Sequence, residues 1–220
     1  MLEKIMKSLV CISVVLLAAG CAAPVKQLDY TAFKQSRPKT ILILPPLNES
    51  PDVAATYSML SQMSYPLAEA GYYVLPVALV DETLKQNGMT NAADIHTIAA
   101  AKLQEIFGAD AALYVTVSKY GSTYTVVNSV VEVRANAKLI DLKSGALLWS
   151  GTASASSNEG NNNSGGGLIG VLVTAVVNQI INNVSDKSHD IAGLTSQRLL
   201  STNQPNGILH GPHSPKYGTE

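Results

Sequence analysis

The sequence predicts one α/β (α+β) domain, in which a mixed sheet of about five strands is packed by helices. Residues 40–44 form a continuous apolar run that ends at two prolines, which is typical of a central strand buried on both faces. Residues 131–139 alternate between apolar and polar side chains, which indicates a strand with one packed face and one wet face. Elsewhere apolar residues recur at helical spacing, so helices and strands alternate along the chain.

The first half of the domain, which we predict over 39–202, begins with the strand at 40–44. A helix over 51–71 follows, with one face formed by Val53, Tyr57, Leu60, Ser64 and Leu67. Pro66 should kink this helix because proline cannot donate a helical hydrogen bond. A second strand is predicted at 72–77.

Two further helices precede the third strand, which we predict at 111–117. The first is short and covers 81–86. The second begins at Asn91, ends at Gly108 and carries its apolar residues on one face, namely Ile95, Ile98, Ala99, Leu103 and Ile106.

The second half of the domain begins with the alternating strand, whose packed face is Val131, Val133, Ala135, Ala137 and Leu139. A hairpin loop at 141–145 leads into a strand at 146–152, where Trp149 is the largest side chain available to the core. Residues 154–167 are mostly Ser, Asn and Gly, which cannot bury enough apolar area to offset chain entropy. This composition predicts a mobile loop.

An apolar helix at 168–184 is predicted next, then a helix at 190–200 and a Pro/Gly-rich tail over 203–220. The first of these helices has a wide apolar stripe, from which we predict a partner-binding surface formed by Leu172, Val173, Val176 and Ile180. Three interpretations stay open: the helix covers the sheet, forms a dimeric or heteromeric interface, or inserts into a bilayer. Its polar residues lack the Lys and Arg that anionic lipid attracts, which favours a protein contact over a membrane contact.

Ahead of the domain, the first 20 residues have the order of a bacterial lipoprotein signal. Two lysines give a basic start, residues 9–19 form an apolar run too short to span a bilayer stably, and Leu17-Ala18-Ala19-Gly20 leads into Cys21. The pattern resembles the lipobox of Gram-negative lipoproteins, in which the cysteine thiol receives diacylglycerol and the new amino end is acylated. The resemblance implies a signal peptide over 1–20 and lipid attachment at Cys21, with palmitate-type chains as a permanent membrane anchor.

The residues around the cleavage site also imply a location. Ala22 stands where lipoproteins retained in the inner membrane usually carry Asp, so the resemblance implies an outer-membrane lipoprotein that faces the periplasm. Residues 21–38 contain prolines and scattered charges without an apolar period, which predicts a lipidated tether. Cys11 leaves with the signal and the thiol of Cys21 is acylated, so no disulfide is expected.

No motif in the sequence assigns catalysis, a metal or a cofactor. His210 and His213 have the spacing of a ligand pair, but without a nearby acidic pair they are predicted to be solvated. No Gly-x-Ser-x-Gly elbow occurs, and the glycines at 165–167 lack the Lys-Ser/Thr of a phosphate loop. Removal of the signal leaves 13 basic and 15 acidic residues, a net charge of −2, which does not favour nucleic acid. We predict a non-enzymatic protein.

Several motifs resemble known envelope proteins. The element order resembles the N-terminal domain of TolB and the periplasmic domain of CsgG, whose first strand also runs into Pro-x-x-Asn, here Pro45-Pro46-Leu47-Asn48. The chain more closely resembles an uncharacterised family of Gram-negative lipoproteins first noticed as a meningococcal genome-derived vaccine antigen. That likeness is carried by the run 102–111, Ser144-Gly145 before Leu148-Trp149, and Gly211-Pro212 with Pro215-Lys216-Tyr217. It implies an envelope role beside CsgG-like lipoproteins.

Together these observations predict a non-enzymatic component of a cell-envelope assembly, secretion or transport complex. The expected partners are the membrane, through the N-terminal lipid, and either a second copy of the chain in a homodimer or a CsgG-like lipoprotein. The alternative is a periplasmic small-ligand-binding protein or an enzyme, with a cleft above the strand ends near 45–51.

Overall fold

A computed structural model describes residues 27–124, 129–159 and 186–219, and it confirms the predicted fold class. The helices are α1 (Thr31–Ser36), α2 (Ala55–Glu69), α3 (Val77–Gln86), α4 (Ala92–Ile95), α5 (Ala100–Phe107) and α6 (Lys187–Leu199). The strands are β1 (Thr40–Ile43), β2 (Leu47–Asn48), β3 (Tyr73–Val74), β4 (Ala111–Lys119), β5 (Ser122–Tyr124), β6 (Ser129–Asp141) and β7 (Leu147–Ser156).

The strands form one mixed sheet in the order β3-β1-β4-β6, with β5 and β7 each pairing with β6, and β2 with β4. The pairs that involve β1, β2 and β3 are parallel, whereas β4, β6 and β7 form an antiparallel meander. The sheet has seven strands rather than about five, because β2 and β5 are short pieces that align with longer neighbours. Within the described chain β7 pairs with β6 alone, so it is an edge strand.

Helices cover both faces of the sheet, but to different extents. One face packs against α2 and α6 in a core that includes Met59, Met63, Leu113, Leu139, Trp149 and Ile191. The other packs against α3, α4 and α5 in a smaller core that includes Leu42, Leu44, Val80, Leu84, Ile95 and Leu103. This second layer stops near β4, which leaves Asn136 and Lys138 of β6 exposed. The predicted packed and wet faces of the alternating strand are thereby confirmed.

The predicted buried face of α2 is partly wrong. Val53 is 90% exposed and Tyr57 49% exposed, whereas the buried residues of the helix are Ala55, Met59, Leu60, Met63, Pro66 and Leu67. The helix turns its methionine, leucine and small side chains to the core. The Tyr57 ring lies outside, and the ammonium group of Lys85 is 5.0 Å from its centroid. The helix also continues through Pro66, whose side chain is buried.

Both predicted boundaries of the domain differ from the structure. Phe33, within the predicted tether, is 4% exposed and packs in the main core as part of α1. Ile208, within the predicted tail, is 1% exposed, and the carbonyl oxygen of Leu209 accepts a hydrogen bond from the Tyr72 hydroxyl at 2.6 Å. The described parts of 27–38 and 203–220 therefore belong to the domain, because isolated apolar side chains anchor segments that lack an apolar period.

Three predicted elements also change in extent. The single helix expected from Asn91 is two helices, α4 and α5, and Ile106 is 44% exposed. The second strand is only Tyr73–Val74. Strand β7 continues to Ser156, into the first residues of the predicted 154–167 loop.

Candidate functional site

The residues that we predicted for lipid attachment and partner binding lie outside the described residues. Cys21 and the helix residues Leu172, Val173, Val176 and Ile180 all belong to segments that the structure does not describe. Lipid attachment and the helical contact surface therefore stay predictions. No helix within the described residues is long and apolar enough to cross a membrane.

The described residues show no group of three or more His, Cys, Asp or Glu side chains arranged to hold a metal ion. His213 is exposed, and His210 is half-buried with its Nδ1 3.1 Å from the hydroxyl of Ser214. The expectation that both histidines are solvated is therefore wrong for His210. Its half-buried position follows from the packing of the C-terminal segment on the domain.

A groove of about 720 Å³ crosses the half of the sheet that no described helix covers, and it reaches the outer edge of β7. We call it the sheet groove, and its central residues are Tyr114, Thr116, Asn136, Lys138, Ser150 and Thr152. The side of the groove at α4 is formed by His96 and Leu47, and the opposite side by residues 204–206. Because it is concave and carries several convergent polar groups, it is the binding-site candidate of the described chain.

Strand register arranges the polar groups of the sheet groove in two rows. Lys138 pairs with Tyr114 on one side and with Ser150 on the other, and one step along the same face Asn136 lies between Thr116 and Thr152. The hydroxyl of Thr152 donates a hydrogen bond to Oδ1 of Asn136 at 2.9 Å. These rows present hydroxyl, amide and ammonium groups on one surface.

Lys138 is the cation at the centre of the sheet groove. The neighbouring cations on the strand surface are paired, because Lys119 and Arg134 share the carboxylate of Glu132, at 2.5 Å and 3.1 Å. Lys138 is exposed and has no ion-pair partner within the described chain. Its charge is therefore available to an acidic group on a ligand or a partner.

His96 fixes one side of the sheet groove. Its Nε2 lies 2.9 Å from the carbonyl oxygen of Pro45, and its ring meets that of Tyr114 edge-on with centroids 5.2 Å apart. Burial lowers the pKa of His96, although the bond to Pro45 opposes the shift. A neutral imidazole then donates through Nε2 to the carbonyl oxygen at neutral pH. Its role is to join α4 to the loop after β1 and to position the Tyr114 ring.

The outer edge of β7 forms the other boundary of the sheet groove, at Ser150, Gly151 and Thr152. No other strand of the described chain pairs with this edge. One backbone group near its end is covered, because Arg198 donates from Nη1 to the carbonyl oxygen of Ser154 at 2.8 Å. A strand edge that no other strand pairs with presents N–H and C=O groups to which a further strand can bond.

A separate cavity of about 510 Å³ lies where the sequence placed the alternative cleft. Its walls come from the loop after β1, from α2, from α3 and from the start of α4. They include Pro45, Asn48, Glu49, Tyr57, Asp81 and Asn91. Lys85 pairs with Asp81 at 2.6 Å at its border. The lining therefore combines apolar side chains with polar groups, two of which are carboxylates.

The described residues form a small α+β domain with a mixed sheet that helices cover fully on one face and partly on the other, and with a polar groove beside the strand edge at β7. The chain belongs to the family described as "Putative lipoprotein GNA1162-like", whose model matches residues 28–213. It is 54% identical over 184 residues to "Putative lipoprotein NMB1124/NMB1162" of Neisseria meningitidis serogroup B (strain ATCC BAA-335 / MC58), which covers 84% of this chain and 85% of that protein.

The crystal structure of lipoprotein GNA1162 from Neisseria meningitidis is similar to this chain, with 57% sequence identity and a TM-score of 0.54. The match covers 66% of this chain and 100% of that chain. These comparisons confirm the predicted family and support the lipoprotein class. They do not support the resemblance to TolB and CsgG, which stays a prediction.

Proposed function

We propose that this chain is a lipid-anchored outer-membrane lipoprotein that faces the periplasm and acts as a non-enzymatic binding component of a cell-envelope assembly, secretion or transport complex. The observation that carries the proposal is the sheet groove beside the edge of β7, with which no described strand pairs. The lipoprotein family and the signal-like order before Cys21 support the anchor.

The partner binds by adding an extended segment to the edge of β7. Main-chain hydrogen bonds to β7 supply affinity, and side chains that reach the rows of the sheet groove supply specificity. An acidic side chain of the partner pairs with Lys138, and hydroxyl or amide groups bond to Asn136 and Thr152. A protein segment meets both the edge and the groove at once, whereas a small ligand would use the groove alone.

The partner is a second copy of this chain or another envelope lipoprotein. The predicted helix at 168–184 offers a second contact, through Leu172, Val173, Val176 and Ile180. The described residues stop at Glu159, shortly after the end of β7, and resume at Asp186 before α6. The predicted helix therefore follows the edge strand β7 closely in the sequence.

Crosslinking in intact cells, followed by identification of the captured proteins, tests this function. The wild type is compared with Lys138→Glu, which reverses the charge in the sheet groove, and with Lys102→Glu, a matched charge reversal on α5 outside it. We expect capture to fall about tenfold with Lys138→Glu and to stay unchanged with Lys102→Glu. Equal capture by both variants would contradict a contact at the groove.

A second pair of substitutions, Val173→Asp with Val176→Asp, tests the predicted helical contact. Each variant must first show a wild-type circular dichroism spectrum, so that a loss of capture reports binding rather than unfolding. If only this variant loses partner capture, the contact surface lies on the predicted helix and not in the sheet groove. Absence of any partner in the wild type would contradict the proposed function.

A second candidate function is small-ligand binding or catalysis in the 510 Å³ cavity near 45–51. Its specific support is the set of polar groups on the walls, including Asn48, Glu49 and Asp81. Asn48→Ala would abolish the function in that case, whereas it should leave partner capture through β7 unchanged.

A further inference from the structure

The sheet groove continues around the edge of β7 onto the opposite face of the sheet. Ser150 and Thr152 lie on the groove face, whereas Trp149 and Gly151 lie on the face that packs against α6, because successive residues of a strand alternate between faces. All four nevertheless line the same cavity. We call its part on the α6 side the apolar recess, and its lining includes Leu28, Trp149, Leu199 and Pro205.

Strand register decides which backbone groups of β7 face its open edge. The N–H of Ser157, just after β7, donates to the carbonyl oxygen of Val131 at 2.9 Å. Bonded pairs recur at every second residue of an antiparallel pair, and the register is regular from here to Gly151. Gly151 therefore bonds to β6, whereas the N–H and C=O groups of Ser150 and Thr152 point away from β6 to the edge.

The carbonyl oxygen of Ser154 agrees with this alternation and limits the open edge at one end. The same register turns it away from β6, and there it accepts the hydrogen bond from Nη1 of Arg198. Nη2 of Arg198 pairs with Glu159 at 2.6 Å, which fixes the guanidinium group in place. An added segment therefore bonds to Ser150 and Thr152 before it meets Arg198.

A segment that bonds to this edge places its side chains alternately on the two faces of the sheet. Residues opposite Ser150 and Thr152 lie on the groove face, because directly paired residues share a face. Lys138 is next to Ser150 in register, is exposed and has no ion-pair partner within the described chain. None of the described lining residues is Asp or Glu. The residue opposite Ser150 is therefore favoured to be acidic.

The next residue of the added segment lies opposite Gly151 and faces the apolar recess. Gly151 has no side chain, so the mouth of the recess stays open at this position. Leu28 is half-buried and Pro205 is exposed, and both therefore have apolar surface left for a partner side chain. A large apolar residue at this position removes that surface from water.

We propose that the partner of the edge of β7 is an extended peptide segment in which an acidic residue stands directly next to a large apolar residue. The acidic side chain lies opposite Ser150 and pairs with Lys138. The apolar side chain lies opposite Gly151 and packs on Leu28 and Pro205. The inference rests on the proposed function and names the chemistry of the segment that this edge selects.

Selection of random phage-displayed peptides on the full chain tests the proposal. We expect the enriched peptides to share Asp or Glu next to Phe, Leu, Ile or Met. Selection on Lys138→Glu should exchange the acidic residue for Lys or Arg and keep the apolar one, because the charge of the groove is reversed. Selection on Leu28→Ser should keep the acidic residue and lose the apolar preference. Lys102→Glu, the charge reversal on α5, should select the same peptides as the wild type.

Fluorescence anisotropy with one enriched peptide measures the size of each effect. Lys138→Glu should weaken binding about tenfold, and Leu28→Ser about fivefold. Circular dichroism first checks that both variants fold. The exposed position of Lys138 makes its variant the safer of the two, so the acidic preference is tested even if Leu28→Ser fails to fold.

Three outcomes would overturn the inference. Selection of the same acidic residue by the wild type and by Lys138→Glu would show that Lys138 does not bind it. An unchanged apolar preference in folded Leu28→Ser would exclude the apolar recess. Absence of any enriched motif on the wild type would contradict selection by the edge of β7. Partner capture in intact cells reports the proposed function separately, so capture without an enriched motif would overturn this inference alone.

Discussion

The indole N–H of Trp149 donates a hydrogen bond to the carbonyl oxygen of Asn206 at 2.9 Å. Trp149 belongs to β7 and is 2% exposed, whereas Asn206 lies in the C-terminal segment, which consists of turns. The bond therefore joins the edge strand to the segment that forms one side of the sheet groove. It explains why a stretch without an apolar period is an ordered part of the domain.

Replacement of Trp149 by phenylalanine removes this bond while an aromatic ring stays in the core. The carbonyl oxygen of Asn206 then loses the hydrogen bond from the indole, and the free energy of unfolding should fall by about 1–3 kcal/mol. Urea denaturation measures the change. An unchanged midpoint would show that the bond does not hold the C-terminal segment on β7.

The position of the Trp149 indole requires a glycine at position 151. A Cβ atom at this position would overlap the six-membered ring of Trp149, because the ring lies across the backbone of the second residue along the strand. Gly151→Ala should lower the free energy of unfolding by about 1–3 kcal/mol. Urea denaturation of a double-mutant cycle with Trp149→Phe checks the cause, since the smaller ring relieves the overlap. Additive effects of the two substitutions would contradict this explanation.

Gly71 and Gly211 hold the C-terminal segment against the end of α2. The N–H of Gly211 donates to the carbonyl oxygen of Ala70 at 2.8 Å, and Gly71 has φ +96° with the backbone of Ser214 where its Cβ would be. Gly71→Ala therefore combines left-handed strain with a steric overlap.

Gly88 is the matched control for Gly71, because its φ is +82° and a Cβ there would meet no atom within 4 Å. Gly88→Ala should cost about 1–2 kcal/mol from strain alone. Gly71→Ala should cost a further ~1–3 kcal/mol from the overlap. Thermal unfolding of both variants, with amide exchange over 203–219, measures the difference. Equal losses would contradict a tight packing of the segment.

Asp110 makes stability depend on pH. Burial raises the pKa of its carboxyl group, but the N–H groups of Lys39 and Thr40, the Thr40 hydroxyl and the charge of Lys143 outweigh burial and lower the pKa overall. A carboxyl group whose pKa is lower in the folded state stabilises the fold above its unfolded value of about 3.9. That stability is lost as the pH falls through the folded value.

Asp110→Asn tests this linkage. The wild type should lose free energy of unfolding between pH 7 and pH 3, and the variant should lose less because one of the contributing carboxyl groups is gone. Urea denaturation at the two pH values gives the comparison. Exposed Asp94, for which Asp94→Asn changes no buried bond, is the control. The same pH dependence in Asp110→Asn and the wild type would contradict the role of Asp110.

The buried and exposed faces of the strands could be predicted from the sequence where the order of apolar and polar residues along one strand determines them. The apolar run of β1 and the alternation of β6 depend only on which side chains face the core, so their burial follows from the pattern. The face of α2 was not predictable in the same way. Leu60 and Leu67 of the predicted face are buried, but Met59 and Met63 lie beside them in the core while the ring of Tyr57 faces outward. Hydrophobic spacing therefore predicted only part of the buried face.

The sheet groove depends on contacts that spacing does not show. Lys138 lies between Tyr114 and Ser150 because of the register of three strands, and register follows from tertiary packing. The C-terminal side of the groove depends on the bond between Trp149 and Asn206, which are 57 positions apart. The polar residues that alternate along β6 were the one feature of the sequence that indicated a solvent-exposed surface at the sheet groove.

The measurement that tests the central claim most directly is a site-specific photocrosslink from the sheet groove in intact cells. A photoreactive residue replaces Thr152, beside the edge of β7, and a second strain carries it at Glu105 on exposed α5. We predict one specific adduct from position 152, with the partner crosslinked through an extended acidic segment, and none from position 105. The 152 adduct should fall about tenfold with Lys138→Glu. No adduct at 152, or the same adducts from both positions, would contradict a protein contact at this surface.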